Sequence, residues 1–102
     1  MNMINGDFAK EAANWMTAFS WVIKSEDDDL YKEVRKIVSD LKTNNISDDL
    51  VDQQMMVVDI TIYATSLKER ASFEDKDNSK KLTKFIVAAK AKERAIMAQI
   101  GE

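Results

Sequence analysis

The absence of proline and the position of the glycines constrain this chain more than any other feature. The sequence contains no proline and only two glycines, Gly6 and Gly101, which lie near its ends. Proline breaks helices, and sheet-rich folds usually need glycine for their tight turns. The long stretch between the two glycines therefore favours helix, and we predict an all-α fold.

Apolar residues at helical spacing predict four helices, over residues 7–24, 29–42, 48–73 and 80–100. Asp7 and Ser47 are the predicted N-caps of the first and third helices, and Asn78 or Ser79 caps the fourth. A polar turn over residues 74–78 should make the last two helices a long antiparallel hairpin. We expect one domain, 1–102, in which an acidic helical segment (1–29) precedes an amphipathic helix and the hairpin (30–102), the expected oligomerisation core.

The middle of the third predicted helix is apolar around most of its circumference. Residues 55–63 read MMVVDITIY, and only Asp59 interrupts them with a charge. Such a helix is either central in its bundle or covered by a second copy of the chain, and a short strand is the alternative. Trp21 lies off the apolar stripe of the first helix and is a candidate for a partner-facing residue. The predicted oligomer or partner interface comprises Trp21, Met55, Met56, Val58, Asp59, Ile62 and Tyr63.

The residue types of most catalytic sites are missing. The chain has no histidine and no cysteine, and no glycine-rich loop that would cradle a phosphate. Acidic pairs three residues apart occur at Glu26/Asp29, Asp49/Asp52 and Glu74/Asp77. Each pair lies near a predicted helix end, where acids serve as caps and dipole partners. We therefore expect no enzymatic activity, no cofactor and no bound metal.

Charge is unevenly distributed along the chain. Residues 1–29 carry 2 basic and 6 acidic side chains, whereas residues 79–102 carry 6 basic and 2 acidic ones. This polarity could support head-to-tail association of subunits, or it could present a basic strip to duplex DNA. The candidate nucleic-acid-binding residues are Lys80, Lys81, Lys84, Lys90, Lys92 and Arg94.

The absence of cysteine fits a reducing compartment, and the first residues lack the pattern of a secretory signal. The longest apolar run, residues 55–58, is too short to span a membrane. We expect a cytoplasmic protein, in the host cytoplasm if the chain is viral.

From residue 30 onward, the amphipathic segment LYKEVRKIVSDL (residues 30–41) is followed by a polar link and by ISDDL (residues 46–50). The first resembles the short amphipathic helix of one family of small terminase subunits of tailed bacteriophages, and the second resembles the start of that family's long helix. A charged turn, a second long helix and the ending Ile100-Gly101 complete a resemblance over about two-thirds of the chain. It implies a subunit that oligomerises, binds viral DNA and regulates a large ATPase–nuclease subunit.

Two further hypotheses stand beside DNA packaging. The chain could be a small helical protein-interaction module, an adaptor or inhibitor that binds no DNA. The third hypothesis is a magnesium-dependent nucleotide hydrolase built on the acidic pairs. Oligomeric state and salt-dependent DNA binding separate the first hypothesis from the second.

Overall fold

The computed structural model describes residues 3, 4, 6–71 and 75–101. Within these residues the chain forms four α-helices and no strand: α1 (Gly6–Ala18), α2 (Asp29–Lys42), α3 (Leu50–Ala71) and α4 (Lys76–Ile100). A 3₁₀ turn, Ser20–Val22, follows α1. The most extensive contact is that between α3 and α4, which form a long helical hairpin. The all-α prediction is confirmed, and the strand alternative for residues 55–63 is wrong.

The first helix is shorter than predicted. It begins at Gly6, so Asp7 occupies its first turn rather than its N-cap, and it ends at Ala18 instead of continuing to Lys24. After α1 the backbone hydrogen bonds change from the four-residue spacing of an α-helix to the three-residue spacing of a 3₁₀ turn: the N–H of Val22 donates to the Phe19 carbonyl. The hydroxyl of Ser20 donates to the Thr17 carbonyl at 2.7 Å and satisfies an acceptor that the helix end leaves open.

The second helix has the predicted bounds. Asp28 caps it, since its Oδ1 accepts the Leu30 N–H at 2.9 Å. The other carboxylate oxygen, Oδ2, pairs at 2.9 Å with the guanidinium of Arg70, near the end of α3. This ion pair joins the start of α2 to the end of α3.

The predicted caps of the last two helices are wrong. Asp49 precedes α3 and accepts the Val51 N–H at 2.9 Å, whereas Ser47 lies two residues earlier and bonds to Asp49 and Asp52. Asp75 caps α4 by accepting the Asn78 N–H at 3.2 Å, so the helix begins at Lys76. Residues 76–78 are therefore helical rather than part of a polar turn. Residues 72–74, where the prediction ended the third helix and began the turn, lie outside the described residues.

The core forms around α3, which contacts α1, α2, α4 and the 3₁₀ turn. Val57, Ile60, Ala64 and Leu67 of α3 are fully buried. From α4, Leu82, Phe85, Ile86, Ala89 and Ile96 are buried, whereas Met97 and Ile100 are exposed. The rings of Phe8 and Phe85 meet with centroids 5.7 Å apart and tie α1 to the hairpin.

Candidate interaction surface

The third helix is apolar on two opposite faces. Its inner face carries Val57 and Ile60, both with no exposed surface. Its outer face carries Met55, which is 61% exposed, and Ile62, which is 53% exposed. A helix that packs on a core normally has one apolar face, which is buried, and a polar face toward solvent. A second apolar face toward solvent is unusual. The outer face of α3 is therefore the strongest candidate for a functional surface.

Four outward residues follow one line along α3. Val51, Met55, Val58 and Ile62 are spaced by four, three and four residues, which keeps them within an arc of about 60° at 3.6 residues per turn. Val51 is 47% exposed and Val58 is half-buried. We call these four residues the outer stripe of α3. Their 4–3–4 spacing is that of the seam along which helices pair in coiled coils.

The acidic residue within the apolar segment lies beside α2. A groove of about 310 Å³ between α2 and α3 is lined by Asp59 and Tyr63 on one side and by Glu33 and Lys36 on the other. Partial desolvation here, and then the Glu33 charge, raise the pKa of Asp59, while Lys36 lowers it. The charges identified around Asp59 thus come from α2 of the same chain.

Tyr63 is tied to the same groove. Its hydroxyl donates to Glu33 Oε2 at 3.1 Å. Burial is the main cause that raises its pKa to about 12, and the hydrogen bond to Glu33 and the Asp59 charge add to it. The phenol therefore stays protonated and donating at neutral pH, and it links α3 to α2 of the same chain.

The other predicted interface residues are distributed over different surfaces. Met56 is partly buried and packs against the core from the groove side. Trp21 is 44% exposed on the 3₁₀ turn, where the Lys24 ammonium lies 5.6 Å from its ring centroid. The structure thus brings Met55, Val58 and Ile62 into one stripe. Met55 also borders the groove between α2 and α3, together with Met56, Asp59 and Tyr63, whereas Trp21 lies apart on the 3₁₀ turn.

The acidic residues near helix starts have structural roles. Asp49 caps α3, and Asp52 in its first turn accepts the Ser47 hydroxyl at 3.0 Å. Asp29 and Asp77 lie in the first turns of α2 and α4. Glu74 lies outside the described residues. Among the residues that the structure describes, no group of three or more acidic side chains is placed to hold a metal ion.

The six basic candidates of α4 do not form one strip. Lys80, Lys84 and Arg94 share the helix face opposite the core, whereas Lys92 is half-buried with its ammonium 5.8 Å from the Phe8 ring centroid. Lys81 and Lys90 are exposed on either side of that outward face. None of the described acidic side chains forms an ion pair with any of the six.

A larger groove lies between α1 and the end of α2. It encloses about 680 Å³ and is lined by Ile4, Ala9, Leu41 and two lysines, Lys10 and Lys42. The polar groups described in its lining are the ammonium groups of these two lysines and the amides of Asn14 and Asn44.

Sequence reasoning missed Val51 on α3 and Val87 on α4. Val51 precedes the continuous apolar run, and Val87, 60% exposed, lies among buried neighbours of the fourth helix. The signal that could have found Val51 is its spacing of four and seven residues from Met55 and Val58.

No helix within the described part of the chain combines the length and the apolar character that crossing a membrane requires. No protein-family model, curated protein or solved structure matches the chain.

Proposed function

We propose that this chain is a non-enzymatic binding protein that works as an assembly of its own copies, joined through the outer stripe of α3. The observation that carries the proposal is the exposure of Val51, Met55 and Ile62 along one line, opposite the face of α3 that forms the core. Contiguous apolar surface of this kind marks an interaction site in soluble proteins. Burying a fully exposed methionine or isoleucine side chain contributes about 1.5–3 kcal/mol, and covering the exposed part of Met55 or Ile62 contributes roughly half of that.

The size of the chain supports self-association. A 102-residue domain buries a limited core, and covering the stripe adds stability that depends on protein concentration. The outer stripe of α3 runs along the helix at coiled-coil spacing. Because this surface is long, narrow and convex, it is suited to binding another helix rather than a small molecule.

The test is the molar mass of two variants, measured by size-exclusion chromatography with light scattering. Replacing Met55 and Ile62 together by glutamine removes apolar surface at two exposed positions and should leave a folded monomer. The control, Trp21→Gln, removes a comparably exposed side chain from the 3₁₀ turn and should assemble like the parent chain. If the Trp21 variant is the one that loses assembly, the interaction surface is not the α3 stripe.

A second proposal assigns DNA packaging to the assembly, as a small terminase subunit that binds viral DNA in the host cytoplasm and regulates a large ATPase–nuclease subunit. The resemblance of residues 30–101 to that family supports it, as do Lys80, Lys81 and Lys84. These three are exposed near the start of α4 and form no ion pair with a described acidic side chain. Phosphate contacts of this kind position a duplex without reading its sequence.

Duplex binding measured over a range of salt concentrations tests the second proposal. Binding should weaken as salt rises, and Lys80, Lys81 and Lys84 changed together to glutamate should abolish it. The matched control changes three exposed lysines of α1 and α2, Lys10, Lys32 and Lys42, to glutamate. Equal binding by both triple variants would remove α4 from the DNA interface. A parent chain that assembles but binds no DNA would instead be an interaction module for protein partners alone.

A further inference from the structure

We infer that the outer stripe of α3 packs on the outer face of α4 in a second copy of the chain. This inference rests on the proposed self-association and names the surface that covers the stripe. The outer face of α4 is the set of outward residues opposite its core face: Lys84, Val87, Ala91, Arg94 and Ala98. All five are exposed.

The two surfaces have the same periodicity. The five residues of the α4 outer face are spaced by three, four, three and four, as in the outer stripe of α3. Each set therefore lies within an arc of about 80° on its helix. Val87 is an exposed apolar anchor, and Ala91 and Ala98 are short enough to let another helix approach closely. The larger side chains of α3 supply the knobs that such a face receives.

The surfaces also lie at the same height along the hairpin. α3 ends at Ala71 and α4 begins at Lys76. Ile62 lies 71 − 62 = 9 residues before the end of α3, and Phe85 lies 85 − 76 = 9 residues after the start of α4. By the same count Val51, 20 residues before Ala71, is level with Ile96, 20 residues after Lys76.

This shared height matters for assembly. Rotation about an axis parallel to the hairpin keeps every residue at its own height. The stripe from Val51 to Ile62 of one copy then faces residues 85–96 of the next, as an antiparallel helix pair. In this register Met55 enters the gap between Ala91 and Arg94, and Asp52 is next to Arg94.

Charge favours this partner over a second α3. The α3 segment from Val51 to Ile62 carries two acidic residues and no basic one: Asp52 and Asp59. The facing segment of α4, residues 85–96, carries three basic residues and one acidic residue: Lys90, Lys92, Arg94 and Glu93. Pairing α3 with α3 would bring like charges together, whereas pairing α3 with α4 brings opposite charges together.

Because the contact joins two different surfaces, every pair of copies still has one uncovered α3 stripe and one uncovered α4 face. The contact can therefore repeat from copy to copy, and it yields a ring if the rotation closes or an open filament if it does not. Lys80 and Lys81 lie nearer the turn, beyond the level of Ile62, so the assembly leaves them accessible. Of the three lysines proposed to contact DNA, only Lys84 borders the contact between copies.

Two complementary variants test the inference. The first, Met55→Gln with Ile62→Gln, lacks the α3 stripe and keeps the α4 face. The second, Val87→Glu with Ala91→Glu, keeps the stripe and lacks the α4 face. Each should be monomeric alone, with the helical circular dichroism of the parent chain. Mixed in equal amounts, they should form a 1:1 complex of twice the 11.6 kDa chain mass and no larger species in sedimentation velocity.

Three outcomes overturn the inference. Dimers of the second variant alone would show that α3 pairs with α3, which contradicts the inference and leaves the proposed self-association standing. Monomers in every sample, including the mixture, would exclude a contact between these two faces if the parent chain assembles. A monomeric parent chain would overturn the self-association as well.

A charge exchange provides an independent test that does not depend on apolar substitutions. Asp52→Arg and Arg94→Asp should each weaken assembly about tenfold, because each places like charges together across the contact. The two changes combined in one chain should restore assembly, since opposite charges then face each other again. If the double variant assembles more weakly than either single variant, by the sum of their two effects, Asp52 and Arg94 are not paired across the contact.

Discussion

At the residue scale, two polar side chains of α3 show how neighbouring positions acquire different roles. Gln53 is buried on the core face, where its Nε2 donates to the Ser47 carbonyl at 2.9 Å and its Oε1 accepts the Met3 N–H at 2.7 Å. Asp59 lies in the groove with α2 and meets both a carboxylate and an ammonium group. Gln53 therefore stabilises the segments before α1 and α3, whereas the Asp59 charge opposes folding.

Replacing Gln53 by alanine should lower the free energy of unfolding by about 1–3 kcal/mol. The substitution removes the bonding partner of two part-buried backbone groups, the Met3 N–H and the Ser47 carbonyl, and each loss costs less than the about 1–3 kcal/mol of a fully buried group because water reaches both. The matched control is Gln54→Ala on the next position, which should change the value by no more than about 0.5 kcal/mol. Urea denaturation measures both, and equal effects would contradict the role assigned to Gln53.

Replacing Asp59 by asparagine should stabilise the chain at neutral pH and have little effect in acid. The folded-state pKa of Asp59 is raised above its usual value of 3.8, so ionisation costs more in the folded state than in the unfolded state. The contribution of Asp59 to the stability of the parent chain therefore falls as pH rises from 3.8 through the raised pKa. Melting temperatures at pH 3 and pH 7 test this, and a variant less stable than the parent at pH 7 would contradict it.

At the scale of helices, some boundaries followed from the sequence and others did not. The bounds of α2 were predictable because its clear amphipathic pattern begins directly after the acidic run over residues 26–29. The start of α4 was not, because Asp75, Asp77, Asn78 and Ser79 can all cap a helix. The end of α1 depends on the Ser20 hydroxyl and a change to three-residue bonding, which apolar spacing does not reveal.

The interaction surface was predictable only in part, because the sequence shows the periodicity of one helix but not how other helices pack on it. The apolar run showed that α3 has more hydrophobic surface than one core face needs, and Met55, Val58 and Ile62 were predicted on the interface. The sequence alone does not say where α2 lies, and α2 is what draws Asp59 and Tyr63 into its own groove. That placement depends on tertiary packing and not on the periodicity of α3.

The ion pair between Asp28 and Arg70 predicts an acid-sensitive link between α2 and α3. The Arg70 hydrogen bond, followed by the Leu30 N–H, holds the pKa of Asp28 below its usual value of 3.8. Its stabilising contribution is therefore present above pH 3.8 and lost as pH falls through the lower folded-state value. Asp28→Asn should reduce stability at pH 6 and approach the parent chain in strong acid.

Thermal melts at pH 6 and pH 2 compare that variant with the parent chain. The matched control is Asp27→Asn, one residue earlier, whose carboxylate does not contact Arg70. A loss of stability with Asp28→Asn that is the same at both pH values would assign the effect to the cap alone and exclude the ion pair.

At the scale of the whole molecule, the chain is a bundle whose central helix is only half enclosed. Val57 and Ile60 are covered within one chain, so the apolar character of residues 55–63 does not by itself require a partner. The exposed stripe on the opposite face of α3 makes the case for assembly. If copies cover one another there, the melting temperature should rise with protein concentration, because only the folded chain binds its partner.

Sedimentation equilibrium of the parent chain over a hundredfold range of concentration tests this claim most directly. The account predicts a weight-average mass that rises from the 11.6 kDa of one chain to at least twice that value as concentration increases. A mass that stays at 11.6 kDa over the whole range would contradict it, and the outer stripe of α3 would then have no second copy to cover it.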